Sequence, residues 1–234
     1  MDPQSAVQKN GKEETMLQAK MHRRQFLFFT GTAAASAALL TACNKDDDNT
    51  TINGGLDLGR DDIGVLNYAY ALEQLEAAFY TQVMATPYAS MAALEAEYLK
   101  DIRDHEIAHR EFFKNALGSN AIQALEVDFS KIDFTKRDTV LATAKAFEDL
   151  GVAAYNGAGK LITNPAYLLV AGKIVSVEAR HAALIRDLIS PGTFADSTAV
   201  DANGLDLAMK PNDVLMTANT FLKTKVNANN LPTS

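Results

Sequence analysis

Two of the four histidines in the chain carry a glutamate three residues upstream: Glu106 and His109 in HEIAHREFF, and Glu178 and His181 in VEARHAALI. Residues three and four apart share one face of a helix, so each segment would present a carboxylate beside an imidazole. Ile102, Glu106, His109 and Phe113 fall at i, i+4, i+7 and i+11, and Ile174, Glu178, His181 and Ile185 repeat that spacing. Both faces are otherwise apolar and therefore expected to point inward. Two other segments set a glutamate and a tyrosine seven apart on an apolar stripe. The first stripe is Leu66, Glu73, Ala77, Tyr80 and Met84, and the second is Leu141, Glu148, Val152, Tyr155 and Gly159. The order Glu-x6-Tyr then Glu-x-x-His occurs twice, which makes the chain an approximate internal duplication. A single Glu-x-x-His is ordinarily a solvated pair; the ordered set on apolar stripes is what points to a metal site.

Inward charges need compensation. A buried ion without a partner costs several kcal/mol, against a whole-domain stability of ~5–15 kcal/mol. Two divalent cations balance four carboxylates, and bundles that hold two iron or manganese ions use one Glu from each of two helices and Glu-x-x-His from each of the other two. Oxygen and nitrogen donors suit iron and manganese, and they bind zinc at least as well. Glu76, also beside apolar neighbours, is an alternative to Glu73 or an extra ligand. His105 reads as a surface residue beside the site, and His22 belongs to the N-terminal signal.

The elements that must position these residues are helical, with a period near 3.6 from residue 61 onwards. The first helix is expected from about Asp61 to Met84, with Asp61 or Asp62 as N-cap; the second starts near Ser90, which can cap it, and ends at Gly118. A third opens after Asp138 and fades near Ile162. The fourth starts at Asn164-Pro165, a cap residue followed by proline at the first helical position, and stops before Pro191. Short connections make each sequential pair an antiparallel hairpin. Between the hairpins lies GSNAIQALEVDFSKIDFTKR, in which Phe129, Ile132 and Phe134 could pin an extended segment to the bundle. Twenty residues at ~3.3 Å each reach about 66 Å, enough to recross it. The expected fold is all-α: a four-helix bundle over 61–189 with one long crossover, followed by a loop and a short C-terminal helix over 190–234, which covers one side of the bundle or acts as a lid.

The N-terminus carries a different kind of signal. Residues 22–43, HRRQFLFFTGTAAASAALLTAC, place a basic segment before a short apolar, alanine-rich run and a small-residue boundary, the order of a secretory signal. Arg23 and Arg24 resemble a twin-arginine export signature, and Leu40-Thr41-Ala42-Cys43 resembles a lipobox in which Cys43 would be acylated. Residues 1–20 precede a second possible start, Met21. The polar stretch 44–60 reads as a flexible acidic tether, and its Asn44-Lys45-Asp46-Asp47-Asp48 resembles a short acidic surface-sorting signal. Cys43 is the single cysteine, so no disulfide can form within the chain, and the formal net charge of −7 with no basic stripe argues against nucleic acid as a partner.

On the six-residue motif the chain resembles the ferritin-like proteins with a dinuclear carboxylate site, which include bacterioferritin, rubrerythrin and manganese catalase, and it looks closest to their exported, desiccation-related branch. The resemblance covers 61–189. It implies Glu73, Glu106, His109, Glu148, Glu178 and His181 as ligands of two metal ions, with Glu106 and Glu178 bridging and Tyr80 and Tyr155 beside them. It implies chemistry on peroxide, oxygen or Fe(II), of ferroxidase, peroxidase or catalase type. A lipid tether on each subunit fits poorly with a closed iron-storage shell. The alternative is an envelope lipoprotein whose metals are structural and whose task is binding or surface protection.

Overall fold

A computed structural model describes residues 51–233. The export signature Arg23-Arg24, the lipidation candidate Cys43 and the first part of the tether lie outside the described residues. Four helices dominate: α1 (Asp61–Ala85), α2 (Ala93–Leu117), α3 (Arg137–Gly159) and α4 (Pro165–Ile189). A short α5 (Pro211–Ala218) follows, and a two-residue strand β1 (Leu56–Asp57) pairs in parallel with β2 (Val226–Asn227). The closest pairings are α1 with α2 and α3 with α4, so the expected two hairpins form.

The capping expectations hold at one helix and fail at two. Asn164 accepts a hydrogen bond from the Ala166 amide with Pro165 at the first helical position, as the sequence suggests. Neither α1 nor α2 has a side-chain cap: the cap positions are Arg60 and Ala92, and Ser90 sits at φ 63° in the preceding turn. Asp62 has another task. Its carboxylate accepts from the amides of Thr163 and Asn164 and from the Thr163 hydroxyl, tying the start of α1 to the start of α4.

The long connection runs beside α1. Asn67 donates to the Asn120 carbonyl and accepts from the Ile122 amide, and Gln74 accepts from the Leu125 amide. Phe129, Ile132 and Phe134 then pack against the core before α3 begins. The C-terminal segment covers a further flank: Val214 and Leu215 of α5 are fully buried, and α5 packs on α1 and α3. The Met209 amide donates to the Ala153 carbonyl, and a Cβ on Gly157 would lie 1.8 Å from the Met209 carbonyl, so only glycine admits the crossing there. Arg186, 1% exposed, is held by Asp149 and Asp196 and fixes the loop after α4.

These covers explain why residues 64 to 77 of α1 are buried without a break. The apolar stripe read from the sequence is therefore one part of a helix enclosed on every side. The end of the expected tether departs from its reading. Leu58 is 1% exposed, Leu56 and Asp57 pair with β2, and Ile52 exchanges hydrogen bonds with the Asn229 side chain. Apolar residues at 52, 56 and 58 find a wall in the C-terminal segment that no local pattern announces. None of the described helices is long and apolar enough to cross a membrane.

Candidate metal centre

All six residues singled out by spacing meet between the two hairpins. Glu73 comes from α1, Glu106 and His109 from α2, Glu148 from α3, and Glu178 and His181 from α4. The four glutamates are 0% exposed and His181 is 4% exposed. Two overlapping groups result, Glu73 with Glu106, His109 and Glu178, and Glu148 with Glu106, Glu178 and His181; in each the candidate ligand atoms lie within 4.8 Å of one another. Glu106 and Glu178 belong to both groups.

The oxygens divide cleanly. Tyr155 on α3 donates its hydroxyl to Oε1 of Glu73 on α1, and Tyr80 on α1 donates to Oε1 of Glu148 on α3. The two hydroxyl bonds cross the duplication and leave one oxygen of each of these glutamates facing the centre. Those two oxygens, all four of Glu106 and Glu178, and Nδ1 of both histidines make eight buried atoms without a hydrogen-bond partner. Distances among them are short: His109 Nδ1 is 2.9 Å from Glu178 Oε1, and His181 Nδ1 is 2.8 Å from Glu106 Oε1. Neither contact has hydrogen-bond geometry, so proximity here is convergence without pairing. Buried polar atoms are nearly always satisfied, and eight orphans in one place are a donor set that could hold metal.

Burial and mutual proximity also shift the protonation of these groups. Burial opposes charge on both imidazoles, yet the carboxylates around them push His109 and His181 up to about 12. Burial raises Glu148 to about 8 and Glu73 well above the usual carboxylate range, with the Glu178 charge adding to the rise in Glu73. Glu106 falls to about 2 because its two histidine neighbours outweigh its burial. The protonated forms of Glu73, Glu148 and both imidazoles are therefore favoured.

Two residues break the duplication. Glu76, 4% exposed, is raised well above the usual range by burial and by the charges of Glu106 and Glu178. Its counterpart 75 positions on is Gly151, and a Cβ there would lie 3.2 Å from Glu76 Oε1 and 3.8 Å from Glu178 Oε2. Glu76 therefore occupies a recess that glycine leaves, in addition to Glu73 and not in its place. The second is His105, an exposed residue beside the site as expected, whose Nδ1 lies 2.9 Å from His181 Nε2 with the ring planes within 9° of parallel. Its counterpart 72 positions on is Val177. That link spans two helices, and no spacing on either one reveals it.

The fold and the site define an all-α bundle whose core carries carboxylate and imidazole groups that could hold metal. A family model described as Ferritin-like domain matches residues 61–191, more than half of the chain, and the protein belongs to that family. No curated protein matches it.

Proposed function

We propose that this is a dinuclear metal protein of the oxidoreductase kind, with Glu73, Glu106, His109, Glu148, Glu178 and His181 as ligands of two iron or manganese ions. The carrying observation is the eight convergent, unpaired donor atoms supplied in duplicate by Glu and Glu-x-x-His. Such an ion pair, when bound, supplies redox chemistry toward peroxide, oxygen or Fe(II). The chain's own residues set the conditions. Glu106 and Glu178, which belong to both groups, would serve as ligands shared between the two halves of the site. Tyr80 and Tyr155 orient the terminal carboxylates through their hydroxyl bonds and hold a proton next to each. With Nδ1 of His181 given to metal, its Nε2 would carry the proton and donate to Nδ1 of His105, the orienting role that outer partners of ligating histidines play. The buried apolar walls exclude water from the centre.

The N-terminal residues support a matching address. Arg23-Arg24, the apolar run and Cys43 in sequence support export and lipid anchoring in a bacterial envelope, and a twin-arginine route suits a protein that folds around a cofactor before crossing. The partners are then a small oxidant or Fe(II) and the membrane that holds the lipid. Consumption of hydrogen peroxide or oxygen by the metal-loaded chain, absent in a Glu106→Ala/His109→Ala variant, tests the activity; loaded protein that consumes neither is a structural metal protein. Metabolic labelling with a fatty acid, retained by the natural chain and lost in Cys43→Ser, tests the anchor.

A further inference from the structure

The duplication that builds the metal centre is unequal just beyond its two tyrosines. With α1 and α3 aligned 75 residues apart, Tyr80 matches Tyr155, Phe79 matches Ala154 and Phe147 matches Leu72. Beyond Tyr80 the space is filled. Phe79 packs against Tyr80 and Phe147 with ring centroids 5.1 Å away in each case, Phe134 and Phe129 close over it at 5.8 and 6.0 Å, and Phe221 packs on Phe147 at 4.8 Å. Beyond Tyr155 the described residues make a single ring pair, Phe112 with Phe113 at 5.6 Å, and a cavity of about 220 Å³ lies between the four helices, with Leu72, Ala154 and Phe113 among its walls. Phe112, 44% exposed, and Ala116, also exposed, line it where it meets the surface.

We infer that this cavity is a binding site for a small apolar molecule, a single aromatic ring or a short alkyl chain, seated against Tyr155. Its lining is almost wholly aliphatic and aromatic, so water has few partners in it. A dry cavity of ~150 Å³ lined by such residues is already large enough to take up benzene or xenon. Tyr155 is a shared wall: its ring lines the cavity and its hydroxyl donates to Glu73. An occupant therefore lies one side chain away from the candidate metal centre. That it would meet the chemistry of a metal pair rests on the function proposed above, whereas binding itself does not.

Benzene is a suitable probe, titrated calorimetrically into the full chain with and without Mn(II). Saturable binding is expected in both states. Ala154→Phe, which places here the residue found at the filled end, should weaken it at least tenfold while metal content stays unchanged. Ala116→Leu narrows the mouth from an exposed position that the fold tolerates, and it should weaken binding or slow uptake. Absence of saturable binding by the natural chain overturns the inference, as does undiminished binding by both variants with native helix content. A chain that holds two metals yet ignores benzene sinks the cavity reading alone; one that binds benzene yet holds no metal sinks the metal reading alone.

Discussion

The two hairpins carry the same candidate ligands in unequal surroundings. In α1–α2 the first helix is enclosed by its partner, the long crossover, the C-terminal segment and the β1 region, and residues 64 to 77 are buried without interruption. In α3–α4 the last helix faces outward along one side, where Leu168 and Leu169 are 46% and 63% exposed. The contrast teaches that ligand geometry and packing environment are separable. Six chemical positions are fixed by the shared helical register, while the cover over them is supplied once, on one side, by segments outside the duplication.

The largest difference should appear at the filled end. Phe79→Ala removes the centre of the aromatic cluster and is expected to destabilise the protein by ~3–5 kcal/mol, measured by urea unfolding of the metal-free chain. A loss below about 1 kcal/mol would mean that the cluster is loosely packed and that the two ends differ less than described.

A second effect comes from the centre that the hairpins share. In metal-free protein Glu148 is raised from 4.5 to about 8, so its contribution to stability is complete below about pH 4.5 and disappears as pH rises through 8. His109 and His181, raised from 6.5 to about 12, act in the same direction at higher pH, while Glu106, lowered to about 2, removes stability as pH falls below 4.5. The melting temperature of the metal-free chain should therefore decline from pH 5 to 8.5, and loading with Mn(II) should flatten that slope. An unchanged slope after loading would show that protons, not metals, occupy the centre.

His105→Val makes the half containing His181 match the half containing His109. Loss of the bond to Nε2 should weaken one of two metals by ~10–100-fold in chelator competition and leave the other unchanged. Equal weakening of both, or of neither, would show that the halves do not differ at this point. The smallest effect is expected on the open side of α4. Leu169→Ala should shift unfolding by no more than ~0.5 kcal/mol.

Much of this was legible from spacing. Glu and His three apart, Glu and Tyr seven apart, and period 3.6 around them sufficed to place six side chains in one core, because a helix's register is local and a buried carboxylate on it has few ways to be satisfied. Asn164-Pro165 likewise announced α4. What spacing could not show is made between elements. His105 reaches His181 across two helices, Gly151 leaves room for Glu76 on another, and Arg186 pairs with Asp149 on α3. Asp62 read as a cap because its type and place fit one, yet its carboxylate serves the loop before α4. The strand at Leu56–Asp57 is too short to show alternation and exists because β2 lies beside it.

The central claim is that eight converging atoms hold two metal ions, and metal content tests it most directly. The full chain, loaded anaerobically with Fe(II) or Mn(II) and desalted, should carry close to two metals by elemental analysis. Glu106→Ala/His109→Ala should carry close to none while retaining its helix content. No metal in either protein would contradict the account, and the buried carboxylates would then be satisfied by protons alone.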